Sequence, residues 1–318
     1  MMPAAMFVRV IHMMDIPFTI MIKPWDRRST YREERRDRRD GSEGSEAQRW
    51  QGESSPHIES VVSSIGELLN DIDERFSPYR ADSLVSMARR GDWNALLCDP
   101  EFHEVYARSA LARQVTHASF DAFAQGAYDP TGIVKGWAIE KAFRRFLRPL
   151  TYTSGNGSQR PFAEAVALNG GGDMQLAVAQ CSDFRWDIGI ESPVAPGELI
   201  ARCHLQDGAV ATSGFSKRGH HIVTSPEFDV HPLSQVTILS ESLTDADMWS
   251  TACLSSGELG AVDMARRNGL TMLAIRPDAR LVAFELPSLA HGTPCFEVSD
   301  SMDSDPSHAR MSTSIRKE

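Results

Sequence analysis

Between Phe7 and Ile22 apolar residues dominate, and Phe18-Thr19-Ile20-Met21-Ile22 is β-branched or apolar throughout. The segment predicts one or two strands, with Pro17 at the start, where a missing N–H does little harm. Ile65, Leu68, Leu69 and Ile72 recur at i, i+3, i+4 and i+7, which predicts an amphipathic helix over 61–75 with one core-facing stripe. Ile139, Ala142, Phe143 and Phe146 predict a second helix over 136–147. Ala165-Val166-Ala167-Leu168 reads as a buried strand running into a glycine turn, and Trp186 to Ile190 as another strand. From Asp245 the pattern gives helix, helix, then strands over 270–275 and 281–284. This mixture of elements predicts an α+β fold of mixed or antiparallel sheets with packed helices.

Two segments break the pattern. Residues 25–56 hold Arg35-Arg36-Asp37-Arg38-Arg39-Asp40 and then Gly41-Ser42-Glu43-Gly44-Ser45-Glu46. Such a segment buries too little apolar surface to offset its ordering entropy and is expected to be a charged, disordered insert. A basic arm for nucleic acid is the alternative, which the interleaved acids disfavour. Residues 287–318 are rich in Ser, Asp and Pro and are expected to form a disordered tail. The organisation that follows is N-terminal strands over 1–24, the insert over 25–56, a catalytic body over 57–286 and the tail. The folded body is then about 260 residues, compatible with one α+β unit.

Composition narrows the possibilities. With 33 Lys and Arg against 43 Asp and Glu, the net charge of −10 argues against a broad nucleic-acid surface but leaves room for a small anionic ligand. Cys98, Cys181, Cys203, Cys253 and Cys295 include no CxxC pair, so five reduced and mostly buried thiols in the cytoplasm are expected, with no zinc site. Arg9, His12 and Asp15 interrupt the apolar N-terminus, against a signal peptide. No apolar run reaches the roughly 18 residues of a membrane span.

Four stretches carry candidate chemistry. Asp129, Gly132 and Lys135 recur every three residues ahead of the predicted 136–147 helix. A carboxylate, an open backbone and a lysine at a helix start suit a phosphorylated ligand, and the helix start adds N–H donors and positive dipole. A solvated lysine is the plainer reading. Asn169-Gly170-Gly171-Gly172-Asp173 follows a strand without the GxGxxG pattern of a dinucleotide fold, and reads either as a close-approach loop or as a tight hairpin turn. Ala211-Thr212-Ser213-Gly214, with Lys217-Arg218-Gly219-His220-His221-Ile222 behind it, gathers hydroxyls, cations and histidines without a hydrolase GxSxG elbow. On a helix, Asp247, Ser250 and Thr251 share one face, an oxygen-rich set suited to Mg²⁺, or equally an Asp cap with hydroxyl neighbours.

In order and spacing these residues resemble the ApbE-like family of FAD:protein FMN transferases. The resemblance runs from about Met14 to Phe284. It rests on Met14-Asp15-Ile16-Pro17, Phe76-Ser77-Pro78-Tyr79-Arg80-Ala81-Asp82-Ser83, Asp129 to Gly136, Asn169 to Asp173, Ala211 to Gly214 with His221-Ile222, and Ala246 to Ala252. It implies a compact, ApbE-like (T-fold-related) architecture. It also implies an enzyme that moves FMN from FAD, with Mg²⁺, onto a Thr or Ser hydroxyl of a target protein, releasing AMP. The implied target carries an Asp-x-x-[Ser/Thr]-Gly-Ala-[Ser/Thr] segment. The implied FAD-binding residues are Met14, Tyr79, Phe120, Asp121, Asp129, Lys135, Asn169, Gly171, Gly172, Asp173, Thr212, Ser213, His221 and Ile222. The implied metal ligands are Gly132, Asp247, Ser250 and Thr251, and the implied proton acceptors are His221 and Asp129.

Three positions depart from the family pattern. Asp15 replaces a glycine and would set a carboxylate against the pyrophosphate. Ala122 replaces a proline after Phe120-Asp121. Val223-Thr224-Ser225-Pro226 replaces the usual Asp-Pro after His221-Ile222. Two alternatives follow, an FAD pyrophosphatase with water as acceptor and a non-catalytic FAD-binding protein.

Overall fold

The N-terminal run folds as a two-strand hairpin, β1 (Phe7–Met13) and β2 (Ile16–Lys23), in a computed structural model that describes residues 6–25, 56–153, 161–214, 231–284 and 296–298. Its two-residue turn puts Met14 and Asp15 at φ 52° and 58°. Two successive left-handed residues match the twist of a tight hairpin, and Asp bears that conformation better than most residues.

The later strands are β3 (Ala165–Gly170), β4 (Asp173–Val178), β5 (Trp186–Glu191), β6 (Leu199–Leu205), β7 (Gly208–Gly214), β8 (Gln235–Ser240), β9 (Thr271–Ile275), β10 (Leu281–Phe284) and β11 (Glu297–Val298). An eight-stranded antiparallel sheet runs β1-β2-β3-β4-β7-β8-β9-β10, and a three-stranded sheet runs β11-β6-β5. The helices are α1 (Pro56–Phe76), α2 (Leu84–Arg89), α3 (Ala95–Cys98), α4 (Pro100–Val115), α5 (Thr131–Ala142), α6 (Leu243–Ser255) and α7 (Gly257–Asn268). The α+β expectation of antiparallel sheets with packed helices holds.

Period two explains the layering. On β3, Val166 and Leu168 join the core shared with α1, α5 and α6, while Ala165 and Ala167 pack on the other face with Leu176 and Trp186. On β9, Met272 and Ala274 face the helices and Leu273 and Ile275 face the small sheet. The central strands are therefore buried on both faces, and their sequences read as apolar runs rather than alternations. Phe18, Ile20 and Ile22 of β2 are fully buried, each worth about 1.5–3 kcal/mol of burial.

Helix α1 carries the predicted stripe but begins earlier, at Pro56, a residue preorganised for a first helical turn. Helix α5 departs further from expectation. It starts at Thr131, so Gly132 and Lys135 lie inside it rather than ahead of it. Nine of its residues are buried, on all sides, because the sheet, α1, α4 and α6 surround it. It loosens into a wide turn at Phe143–Leu147. The expected tail holds one ordered piece: Phe296 packs with Ile190, Ile200 and Cys203, and Glu297 and Val298 pair with Arg202 and Ala201, so burying one aromatic ring anchors that strand. Trp25, assigned to the insert, donates its indole N–H to the Pro161 carbonyl. The rest of the insert up to residue 55, and the tail from 299, lie outside the described residues. Cys203 and Cys253 are buried, but Cys98 and Cys181 are exposed, against the expectation of mostly buried thiols. Cys295 lies outside the described residues.

Candidate active site

Where α5, α6 and the ends of β4 and β7 meet, three charged side chains share one buried place. Lys135, one turn into α5, pairs with Asp173 at the start of β4, and its Nζ lies 3.1 Å from Asp247 Oδ1 on α6. The two carboxylates are 1% and 2% exposed and the lysine 8%. Buried charges persist only when paired and hydrogen-bonded, and these are. Asp173 Oδ1 accepts from the Thr212 N–H at 2.9 Å, and Asp247 Oδ2 from the Gly136 N–H at 3.0 Å. The three residues together carry a formal charge of −1.

Gly136 lets the two helices come this close. A Cβ there would sit 2.8 Å from the Leu243 carbonyl oxygen and 2.9 Å from Asp247 Cβ. Helix α6 is held in register by two side chains with no sequence signal. Glu140 Oε2 accepts from Ser242 Oγ, Thr244 N and Thr244 Oγ1 at 2.7–2.9 Å. Gln175 Oε1 accepts from the Leu243 N–H at 3.0 Å. These bonds satisfy first-turn donors of α6 and set the angle at which Asp247, one turn on, meets Lys135. Ser242 is the cap, its Oγ accepting from the Asp245 N–H, so neither Asp245 nor Asp247 caps the helix. As the spacing predicts, the same helix face offers Ser250 and Thr251, whose hydroxyls lie 2.8 and 3.2 Å from Ser213 Oγ on β7.

Above this floor opens a cleft of about 1440 Å³. Of the residues singled out in the sequence, Tyr79, Phe120, Asp121, Asp129, Gly132, Lys135, Asn169, Gly171, Gly172, Thr212, Ser213 and Thr251 line it. Asp173, Asp247 and Ser250 are buried and not among the lining residues. Met14 is not a lining residue either; it packs on the main core at the hairpin tip. Asp15 is exposed at that tip, outside the cleft lining, where its charge helps burial to raise the Asp73 carboxyl above its ordinary value. His221, Ile222 and the altered Thr224 lie outside the described residues.

Asp129 turns out to organise the cleft wall. Its Oδ1 accepts from both the N–H and the hydroxyl of Thr131, at 3.0 and 2.7 Å. Ile133 and Val134 N–H both reach the Pro130 carbonyl. The start of α5 thus spends most of its donors internally, fewer remaining for a ligand than the sequence suggested. Asn169 to Asp173 is the hairpin turn between β3 and β4, with Gly171 and Gly172 at φ 63° and 100°. The tight-turn reading therefore holds, and Asn169, Gly171 and Gly172 also line the cleft. Asp121 is paired with Arg113 at 2.9 Å, and the carbonyl of the altered Ala122 accepts from the Asp129 N–H at 2.7 Å.

Sequence reasoning missed Arg89. Its Nε donates to the Tyr128 carbonyl at 2.7 Å and its Nη1 to the Pro78 carbonyl at 3.2 Å, while Nη2 lies 3.2 Å from Asp129 Oδ2. One guanidinium ties the Tyr79 loop, α2 and the lead into α5 together. Tyr79 itself is 84% exposed, a flat ring presented on the rim. Among the described residues no cluster of three or more His, Cys, Asp or Glu could hold a metal.

Residues 125–274 match the model of the ApbE family. No curated protein matches the sequence. The flavin transferase ApbE from Vibrio cholerae superposes with a TM-score of 0.62 at 15% identity, over 90% of this chain and 98% of that one. The flavinyl transferase ApbE of Pseudomonas stutzeri, in its apo form, gives 0.59 at 16% identity, over 91% and 98%. The ApbE protein of Thermotoga maritima gives 0.62 at 17% identity, over 90% and 99%. The fold is the one these proteins share, and the matched segment spans every site residue from Asp129 to Thr251.

Proposed function

We infer that this ApbE-like chain is an FAD:protein FMN transferase, moving FMN from FAD onto a Ser or Thr hydroxyl of an acceptor protein and releasing AMP. The observation that carries this reading is the buried Asp173–Lys135–Asp247 trio at the floor of a large cleft, inside the segment that matches the family. The cleft exceeds the roughly 300–1000 Å³ of a usual small-molecule site, which leaves room for a dinucleotide and part of a second molecule.

In this reading the acceptor oxygen attacks the FMN phosphorus. The bond from that phosphorus to the bridging oxygen breaks, and AMP leaves with that oxygen. Such a step needs alignment and charge neutralisation more than covalent chemistry. Lys135 supplies a fixed cation, Tyr79 a face for one flat ring, and Gly171 and Gly172 room for close backbone approach. The acceptor proton passes to His221, an imidazole suited to general base work. Asp129 is the weaker candidate, since Thr131 and Arg89 already engage its oxygens.

Asp247, the Thr251 hydroxyl and the carbonyls of Gly132 and Ser250 would hold Mg²⁺, an all-oxygen set of the kind that ion prefers. When bound, the ion would stabilise charge on the pyrophosphate and on departing AMP. Two observations support the fit. The trio's formal charge is −1, and the Gly136 N–H, which helix geometry aims at the Gly132 carbonyl, donates to Asp247 Oδ2. No helix among the described residues is long and apolar enough to cross a membrane. A cytoplasmic site of action belongs to the same proposal.

The test incubates the protein with FAD, Mg²⁺ and a target carrying Asp-x-x-[Ser/Thr]-Gly-Ala-[Ser/Thr]. Flavin fluorescence on the target band of a denaturing gel is the expected result. FMN and AMP without labelling would make the enzyme a pyrophosphatase. FAD bound but recovered intact would leave a binding protein and overturn the transferase.

A further inference from the structure

Three hydroxyls meet where β7 packs on α6. Ser213 Oγ lies 2.8 Å from Ser250 Oγ and 3.2 Å from Thr251 Oγ1, and Ser250 Oγ lies 3.0 Å from the Asp247 carbonyl oxygen. Ser250 is fully buried, while Ser213 and Thr251 line the cleft. Thr212, the neighbour of Ser213, turns its hydroxyl to Thr237 Oγ1 on the adjoining strand, at 2.9 Å, so within that pair it is position 213 that reaches α6.

Distances alone leave the donor of the first two contacts open, but proton counting settles it. A hydroxyl owns one proton and two lone pairs, and a carbonyl oxygen has no proton to give. The Ser250 proton therefore goes to the Asp247 carbonyl, a bond back to the preceding helical turn. With that proton spent, the Ser213–Ser250 contact needs the Ser213 proton. With the Ser213 proton spent in turn, the Ser213–Thr251 contact needs the Thr251 proton. The chain runs one way, from Thr251 through Ser213 and Ser250 to the Asp247 carbonyl. Thr251 Oγ1 then has no proton left for a ligand and keeps both lone pairs. An oxygen in that state meets a cation or an N–H, and it cannot donate to a phosphate oxygen. Aligned O–H groups also polarise one another, by about 10–30% per bond, which makes the oxygen at the head of the chain more negative.

We propose that Ser213 is a positioning residue that takes the Thr251 proton and so fixes Thr251 Oγ1 as a lone-pair donor to a divalent cation on the floor of the cleft. The inference rests on the transferase reading for the cation. It gives Ser213 a role through Thr251 in place of the direct FAD contact that the family resemblance implies. Partners that orient a metal ligand typically change metal affinity about 10–100-fold when removed.

The test uses the full chain with two probes: Mn²⁺ alone, the free ion followed by electron paramagnetic resonance, and FAD in EDTA, followed by flavin fluorescence. Ser213→Ala should weaken Mn²⁺ binding about tenfold or more, and Ser213→Thr, which keeps the hydroxyl, should recover most of that loss. In a Thr251→Val background Ser213→Ala should change Mn²⁺ affinity by less than about twofold, because the oxygen it orients is gone. The affinity of Ser213→Ala for FAD in EDTA should stay within about twofold of the parent. An unchanged Mn²⁺ affinity in Ser213→Ala, an equal loss in both backgrounds, or a loss of FAD affinity in EDTA of about tenfold overturns the positioning role. A parent that binds no Mn²⁺ overturns it together with the metal set. Flavin transfer to the target is read alongside. Labelling with an unchanged Mn²⁺ affinity in Ser213→Ala overturns the positioning role and spares the transferase. The expected Mn²⁺ losses without labelling by the parent uphold the positioning role and overturn the transferase.

Discussion

Replacing Lys135 with Met tests whether the trio is a neutralised charge cluster. Met keeps the aliphatic bulk, so the cavity left is small. What disappears is a cation that pairs with both Asp173 and Asp247, which are 1% and 2% exposed. Stripping the partner from a buried ion pair costs about 3–5 kcal/mol, because the remaining charges stay desolvated. At about 2–4 °C per kcal/mol for a domain of this size, the melting temperature should fall by roughly 6–20 °C. The assays are urea unfolding for the free-energy loss and a thermal melt for the midpoint, both followed by tryptophan fluorescence without FAD or Mg²⁺. The companion variant Asp173→Asn keeps an oxygen for the Thr212 N–H but removes one negative charge. In the double variant the losses should fall short of additivity by about 1–3 kcal/mol. A loss under about 1 kcal/mol for Lys135→Met, or strict additivity, would refute the charge-cluster reasoning.

Two further outcomes follow from geometry elsewhere. Gly136→Ala should cost about 1–3 kcal/mol, since its Cβ would press on the Leu243 carbonyl oxygen at 2.8 Å and force α5 from α6; a variant melting within about 1 °C of the parent would contradict this. Glu258 is held below the usual carboxylate range by hydrogen bonds from Arg276, both at 2.6 Å. A depressed folded value means stability that is present above the ordinary pKa of 4.5 and lost as pH falls through the lower folded value, so Glu258→Gln should flatten the acid limb of the stability–pH curve. An unchanged limb in that variant would remove Glu258 from the acid response.

Much of the fold was legible in local pattern. Residues 7–22 formed the expected strands because β-branched residues alternate around a turn that a two-residue loop can close. The α1 stripe and the order helix, helix, strand after Asp245 followed from periodicity for the same reason. Helix α5 was misjudged because periodicity reports one buried face, and this helix is buried on nearly all of them. Arg89, Glu140 and Gln175 left no signal, because each engages backbone groups remote in sequence, 39 residues away for Arg89 with Tyr128, 68 for Gln175 with Leu243 and 104 for Glu140 with Thr244.

The sequence by itself determined which chemical groups the protein possesses and roughly where each sits along the chain: a carboxylate, glycine and lysine at three-residue spacing beside a helix, a glycine turn after a strand, and an Asp-Ser-Thr face on another helix. Spacing on a helix or strand decides which side chains share a face, and that is a local matter. Only the tertiary structure decided that Lys135 would stand between Asp173 and Asp247, and that Asp129 would spend its oxygens on Thr131 and Arg89. Those outcomes depend on how close two helices and two sheets can approach, and here that distance is set by the missing side chain of Gly136 and by buried partners that no local pattern announces.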